Sequence, residues 1–147
     1  MNLKLKIEQS DNYNETEIII HCNCIDENLH KIIEIIQSSS FVLTAQKDGR
    51  VMHIKPDLVY YFESVDDKTF IYCRDEVYSS PMKLYELENI LKKSSFVRIS
   101  KSCILNIDYL ESVRPLLNGK YEVLLINSEK LIINRHYVPD FKKKFGF

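Results

Sequence analysis

At 147 residues, 45% hydrophobic and 28% charged, the chain has the size and composition of one globular domain with a small appendage, not of a disordered protein. Its formal net charge of −1 gives no overall bias toward polyanions, and three scattered glycines exclude the Gly-rich loops that cradle phosphates. Met1 to Glu8 alternates apolar with charged residues where a signal peptide needs an apolar core, and no apolar run approaches the roughly 20 residues that span a bilayer. A cytoplasmic location follows as the expectation, with Cys22, Cys24, Cys73 and Cys103 as reduced thiols packed like small hydrophobes.

In chain order, Leu3-Lys4-Leu5-Lys6-Ile7-Glu8 has the period of two of a half-buried strand. Asp11 to Asn14 reads as a turn, and Glu17 to Cys22 as the β-branched partner strand. Asp26 then looks like a helix N-cap ahead of Leu29, Ile32, Ile33 and Ile36 at helical spacing, with Ser38-Ser39-Ser40 ending the run. Residues 1–40 are therefore expected to be a β-β-α extension. Short strands follow at Phe41–Gln46, Arg50–Ile54, Leu58–Glu63, Thr69–Arg74 and Glu76–Ser80, the first two joined by the hairpin signal Asp48-Gly49. Leu84, Leu87, Ile90 and Leu91 mark a short helix, and Phe96–Ile99 resumes extended structure. Asn106 to Leu110 fits one helical turn, and a hairpin follows from Leu110–Pro115 through Leu117–Lys120 to Tyr121–Ile126. After Leu131–Ile133, His136–Phe145 reads as a terminal basic helix with Gly146 just past its end. Strands outnumber helices, so the expected class is mainly β, with residues 41–147 as the principal domain.

Catalytic and metal chemistry find little support. His21, Cys22, Cys24 and His30 lie close together, but Cys-x-Cys on a strand fits the knuckles of structural zinc poorly, and two thiols packed on one strand face is the better reading. Ser100, Ser102 and Ser112 lack the flanking glycines of a nucleophile elbow, and Glu63, Asp66 and Asp67 read as solvated carboxylates beside a turn. The chain is read as a non-enzyme without cofactor, metal or small-molecule substrate.

Charge is unevenly distributed. Residues 1–40 carry three Lys and seven acids, whereas residues 92–147 carry eleven Lys or Arg against five acids. A basic C-terminal third provides what a localised phosphate-contacting face needs. Polar groups gather in three segments: Asp67-Lys68-Thr69, Arg98 through Lys101 and Ser102 to Asn106, and Asn134-Arg135-His136-Tyr137. Lys and Arg neutralise phosphates, and hydroxyl and amide side chains bond their oxygens. Arg135 suits a bidentate contact to a guanine edge and Asn134 one to adenine. The bland alternatives are a plain turn at Lys68-Thr69, strand-end caps at Ser100 and Ser102, and a solvated helix end at Lys142–Lys144.

The stretch Phe96-Val97-Arg98-Ile99-Ser100-Lys101-Ser102-Cys103-Ile104-Leu105-Asn106 resembles the signature of the LytTR DNA-binding family. Val59 to Ser64, Leu84 to Glu88 and Ser128 to Tyr137 resemble three further motifs of that family in the same order, so the likeness covers about residues 41–145. It implies small stacked antiparallel sheets whose loops enter successive major grooves of duplex DNA. Carried over residue by residue, it implies DNA contact by Lys68 and Thr69 on a first loop and by Lys101 and Ser102 on a second, with Arg98 and Asn106 nearby. A third loop holds Asn134, Arg135 and His136. The chain departs from the pattern at Asn134 (usually Ser), His136 (usually Arg or Lys) and Ser128 (usually Gly), which leaves the base preference open.

The expected function is promoter binding at paired repeats as a transcription regulator. Residues 1–40 are too short for the phosphoacceptor receiver of response regulators, so stand-alone family members are the better match. Partners expected are double-stranded DNA, a second copy met through residues 1–40 or on DNA, and a membrane-protein signalling partner. The alternative is an adaptor that keeps the fold and acts through protein contacts.

Overall fold

The computed structural model describes residues 2–39 and 41–147. Helix α1 (Glu27–Ser39) is followed by β1 (Leu43–Lys47), β2 (Arg50–Ile54), β3 (Val59–Val65), β4 (Lys68–Cys73) and β5 (Val77–Ser80). Helix α2 (Leu84–Ile90) leads to β6 (Phe96–Ser100), β7 (Cys103–Asn106), β8 (Leu110–Pro115), β9 (Tyr121–Leu125), β10 (Lys130–Ile133) and α3 (Val138–Phe145). The class is mainly β, as expected. Phe96 to Asn106, however, is two strands, β6 and β7, folded back on each other at Lys101-Ser102.

Seven strands form one antiparallel sheet in the order β2-β1-β5-β4-β3-β7-β6, and a second sheet has the order β10-β9-β8. The large sheet is a middle layer with two apolar faces. On one, Phe62, Ile71, Ile104 and Phe96 pack under Leu84, Leu87 and Leu91 of the α2 region. On the other, Val97, Ile99, Cys103 and Leu105 meet Val123, Leu125 and Ile133 of the small sheet and Val138 and Phe141 of α3. Period two explains the division in β7, where Ile104 faces one core and Cys103 and Leu105 the other. A register shift in β3 between Val59 and Tyr61 lets Tyr60 and Tyr61 both join the second core. Cys103 is buried there, and desolvation pushes its thiol up to about 12.

The extension differs from expectation. Its helix is present: the Leu29 amide donates to Asp26 Oδ1 at 2.7 Å as the N-cap reading requires, and Leu29 is buried. Glu34 binds the Lys93 ammonium, which ties α1 to the domain and lowers the Glu34 pKa. Even the turn forms, with the Tyr13 amide donating to the Ser10 carbonyl at 3.2 Å. The two strands do not. Residues 2–26 contain no ladder, and Leu3, Leu5, Ile7, Ile18 and Ile19 are exposed, as are Cys22 and Cys24, which therefore are not core thiols. A two-stranded hairpin is marginal alone, and among the described residues no third strand reaches this one. Ser40, the end of the expected serine stop, lies outside the described residues.

Candidate nucleic-acid interface

The first turn joins β3 to β4 through Asp66 and Asp67, whose φ values of 50° and 63° are those of a tight hairpin turn that Asp tolerates. Val65 pairs with Lys68 across it, and the Lys83 ammonium donates to the Asp67 carbonyl at 3.0 Å. Alternation then sends Lys68 to solvent and Thr69 inward, on the side of Ile71. Thr69 is only 3% exposed, so its expected role in contact gives way to one in packing.

The second turn, Lys101-Ser102, is closed by the pairing of Ser100 with Cys103. It contains no glycine, and side chains hold it. Arg98 Nε donates to the Ser100 carbonyl at 2.7 Å, one terminal nitrogen donates to the Lys101 carbonyl, and the other pairs with Glu88 at 2.8 Å. The Ser102 amide donates to Ser100 Oγ at 3.2 Å. Arg98 is thus engaged beneath the turn, where its guanidinium is occupied by the Ser100 and Lys101 carbonyls and by Glu88. Asn106 is also corrected: it is 0% exposed, its amide nitrogen donates to the Val59 carbonyl at 2.9 Å, and its Oδ1 accepts from Ser95 Oγ and the Asp108 amide. That side chain is an interior brace.

The third segment is a single helical turn, Arg135–Tyr137, started by Asn134, whose side chain makes no cap bond. The Arg135 stem lies against the β8–β9 hairpin tip: a Cβ on Gly119 would stand 3.0 Å from Arg135 Cδ. Gly119, at φ +75°, packs closely on the Arg135 stem, where the sequence signalled only a turn residue. The Lys142–Lys144 run divides by role. Lys144 is half-buried and donates to the Lys92 and Phe96 carbonyls at 2.9 and 2.6 Å, and Lys142 lies over the Tyr121 ring, so only Lys143 points to solvent. Desolvation lowers the Lys144 pKa.

Two backbone hydrogen bonds bring the three segments to one end of the large sheet. The Ser64 amide donates to the Ser102 carbonyl at 2.8 Å, joining the first turn to the second. The Asn134 amide donates to the Ile99 carbonyl at 2.9 Å, joining the third to the end of β6. In the strand order β4-β3-β7-β6 the first two turns are two strand spacings apart, about 10 Å. Lys68, Lys101, Arg135 and His136 are exposed there, and among the described residues their side chains have no hydrogen-bond or ion-pair partner. Asp66 and Asp67 share the edge. The β1–β2 hairpin at Asp48-Gly49 lies at the opposite end, because Lys47 beside it pairs with Glu76 just before β5 begins.

The model of the LytTr DNA-binding domain matches residues 49–146. The chain belongs to this family. A solved LytTr DNA-binding domain from Bacillus cereus superposes with a TM-score of 0.68 at 25% identity, over 72% of this chain and 97% of that one. An HTH-type transcriptional regulator of Staphylococcus aureus is 28% identical over 97% of this chain and 99% of its own length. The sensory transduction protein LytT of Enterococcus faecalis is 27% identical over 73% of this chain, but only 44% of that protein is covered. The chain spans less than half of that longer relative. In this LytTr chain the backbone at Ser128 has φ 71°, a left-handed geometry that glycine meets most readily. No helix of the described residues is long and apolar enough to cross a membrane.

Proposed function

We infer that this LytTr chain is a sequence-specific, double-stranded-DNA-binding transcription regulator that sets its three turns into the major groove at promoter repeats. The observation that carries this reading is the pair of backbone bonds, Ser64 to Ser102 and Asn134 to Ile99, which fasten three cation-bearing segments side by side. Lys68, Lys101 and Ser102 would contact phosphates, and Asn134, Arg135 and His136 would read base edges. Arg98, Thr69 and Asn106 position those groups from behind. Residues 41–147 are the DNA-binding domain and residues 1–40 an extension. The protein acts in the cytoplasm, with a second copy on paired sites, and no catalytic step is assigned to it. In vitro selection of bound duplexes followed by a salt titration tests this reading: a consensus should emerge, and affinity should fall steeply with salt. Equal binding to random duplex at every salt concentration would reject it.

One observation favours a second reading, an adaptor acting through protein contacts: Asp66 and Asp67 place negative charge on the edge that would approach phosphate. No shift of any selected duplex at low salt would favour the adaptor.

A further inference from the structure

The surface of the molecule is too large for its mass. Its accessible area is 11041 Å², whereas a compact 17.4 kDa monomer exposes about 7,900 Å². The excess of roughly 3,000 Å² exceeds the ~800 Å² that each partner contributes to an ordinary stable interface. It concentrates in residues 2–26, every one of which is exposed, while the domain from Leu43 onward is packed around two cores.

We propose that residues 3–22 form a β-arm completed by the same arm of a second copy of this chain. The alternation of Leu3, Leu5 and Ile7 makes a strand face without a sheet, and the Ser10–Tyr13 turn separates the two segments of the arm. One such ribbon has too few strands to persist, but two ribbons supply four strands and one shared apolar face. The charges are complementary in part: the first segment carries Lys4 and Lys6, with Lys6 paired to its own Glu8 at 2.7 Å, and the second carries Glu15 and Glu17, which leaves Lys4 to meet a carboxylate of the other copy. A two-fold pairing satisfies both copies identically and leaves no unpaired arm to propagate. Helix α1, capped by Asp26 and held through Leu29 and the Glu34–Lys93 pair, fixes the base of the arm to the domain. The inference deepens the partner assigned in the DNA reading, and its test uses no DNA.

Sedimentation equilibrium of the full chain is expected to give twice 17.4 kDa at micromolar concentration. The double variant Leu5→Asp, Ile18→Asp is expected to give a single copy with unchanged domain melting, since both side chains lie outside the cores. Hydrogen exchange of the unmodified chain supplies a second readout that depends on no variant: amides of residues 3–8 and 17–22 should gain protection as concentration rises. A monomeric unmodified chain, a dimer that survives the double variant, or arm protection independent of concentration, as a fold onto the chain's own β2 edge would give, each overturns the proposal. A monomer that still binds selected duplex would overturn the arm and leave the DNA reading standing.

Discussion

Two β-prone stretches of this chain each contain a turn and differ in fate. Phe96–Asn106 folds back at Lys101, with β7 paired to β6 on one side and to β3 on the other, whereas Leu3–Cys22 turns at Ser10–Tyr13 and remains without a ladder. Strand propensity therefore encodes the ability to pair, and the partner decides the result. In β7 the partners are β3 and β6, with apolar cover on both faces, and among the described residues none of these meets residues 2–26.

The largest break in this contrast should come from Asn106→Ala. The buried Val59 carbonyl and two part-buried groups, the Ser95 hydroxyl and the Asp108 amide, would lose their partner, a destabilisation of about 3 kcal/mol by denaturant unfolding. A single Leu5→Asp change in the exposed extension should leave the domain's melting within about 0.5 kcal/mol.

Next in size is the base-reading position. Arg135→Ala should cost roughly 1–3 kcal/mol of discrimination at one base pair in a competition assay. Gly119→Ala should reproduce part of that loss without touching Arg135, because the added methyl lies 3.0 Å from the Arg135 stem and the backbone there is left-handed. If Gly119→Ala leaves base preference unchanged, the stem contact has no functional role.

Presentation and contact separate in the second turn. Lys101→Ala should flatten the salt dependence of binding by a slope of about 0.9. Arg98→Met should weaken binding about tenfold, ~1.4 kcal/mol, with the slope unchanged, because its charge is already paired with Glu88. Matching slopes for the two variants would contradict the assignment of Arg98 as a brace. The smallest effect is expected at the acidic turn. Asp67→Asn keeps the left-handed backbone and removes one like charge, so binding should tighten by about 0.5 kcal/mol at low salt and converge on the parent as salt rises.

Much of the fold was legible because its turns speak locally: Asp48-Gly49, Leu117 to Lys120 and the Asp26 cap each carry their own chemistry. The Lys101-Ser102 turn was legible only through the motif likeness, because Arg98 and Ser100 side chains rather than a glycine hold it. The motif likeness located the three segments, but it did not distinguish contact from support. Thr69 could have been set aside from parity alone, two residues before buried Ile71. Asn106 could not, since its burial rests on Val59 and Ser95, distant in sequence or on another element. The unpaired state of the extension was equally out of reach, because strand propensity says nothing about where the next strand is.

Lys68, Lys101 and Arg135 are proposed to act as one surface. Backbone amide shifts of the isotope-labelled chain, followed during titration with a selected duplex, measure this directly. The largest changes should fall together at Asp67–Lys68, Lys101–Ser102 and Arg135–His136, with the β1–β2 hairpin at Asp48-Gly49 unmoved. Changes centred on that hairpin, or confined to one of the three turns, would contradict it.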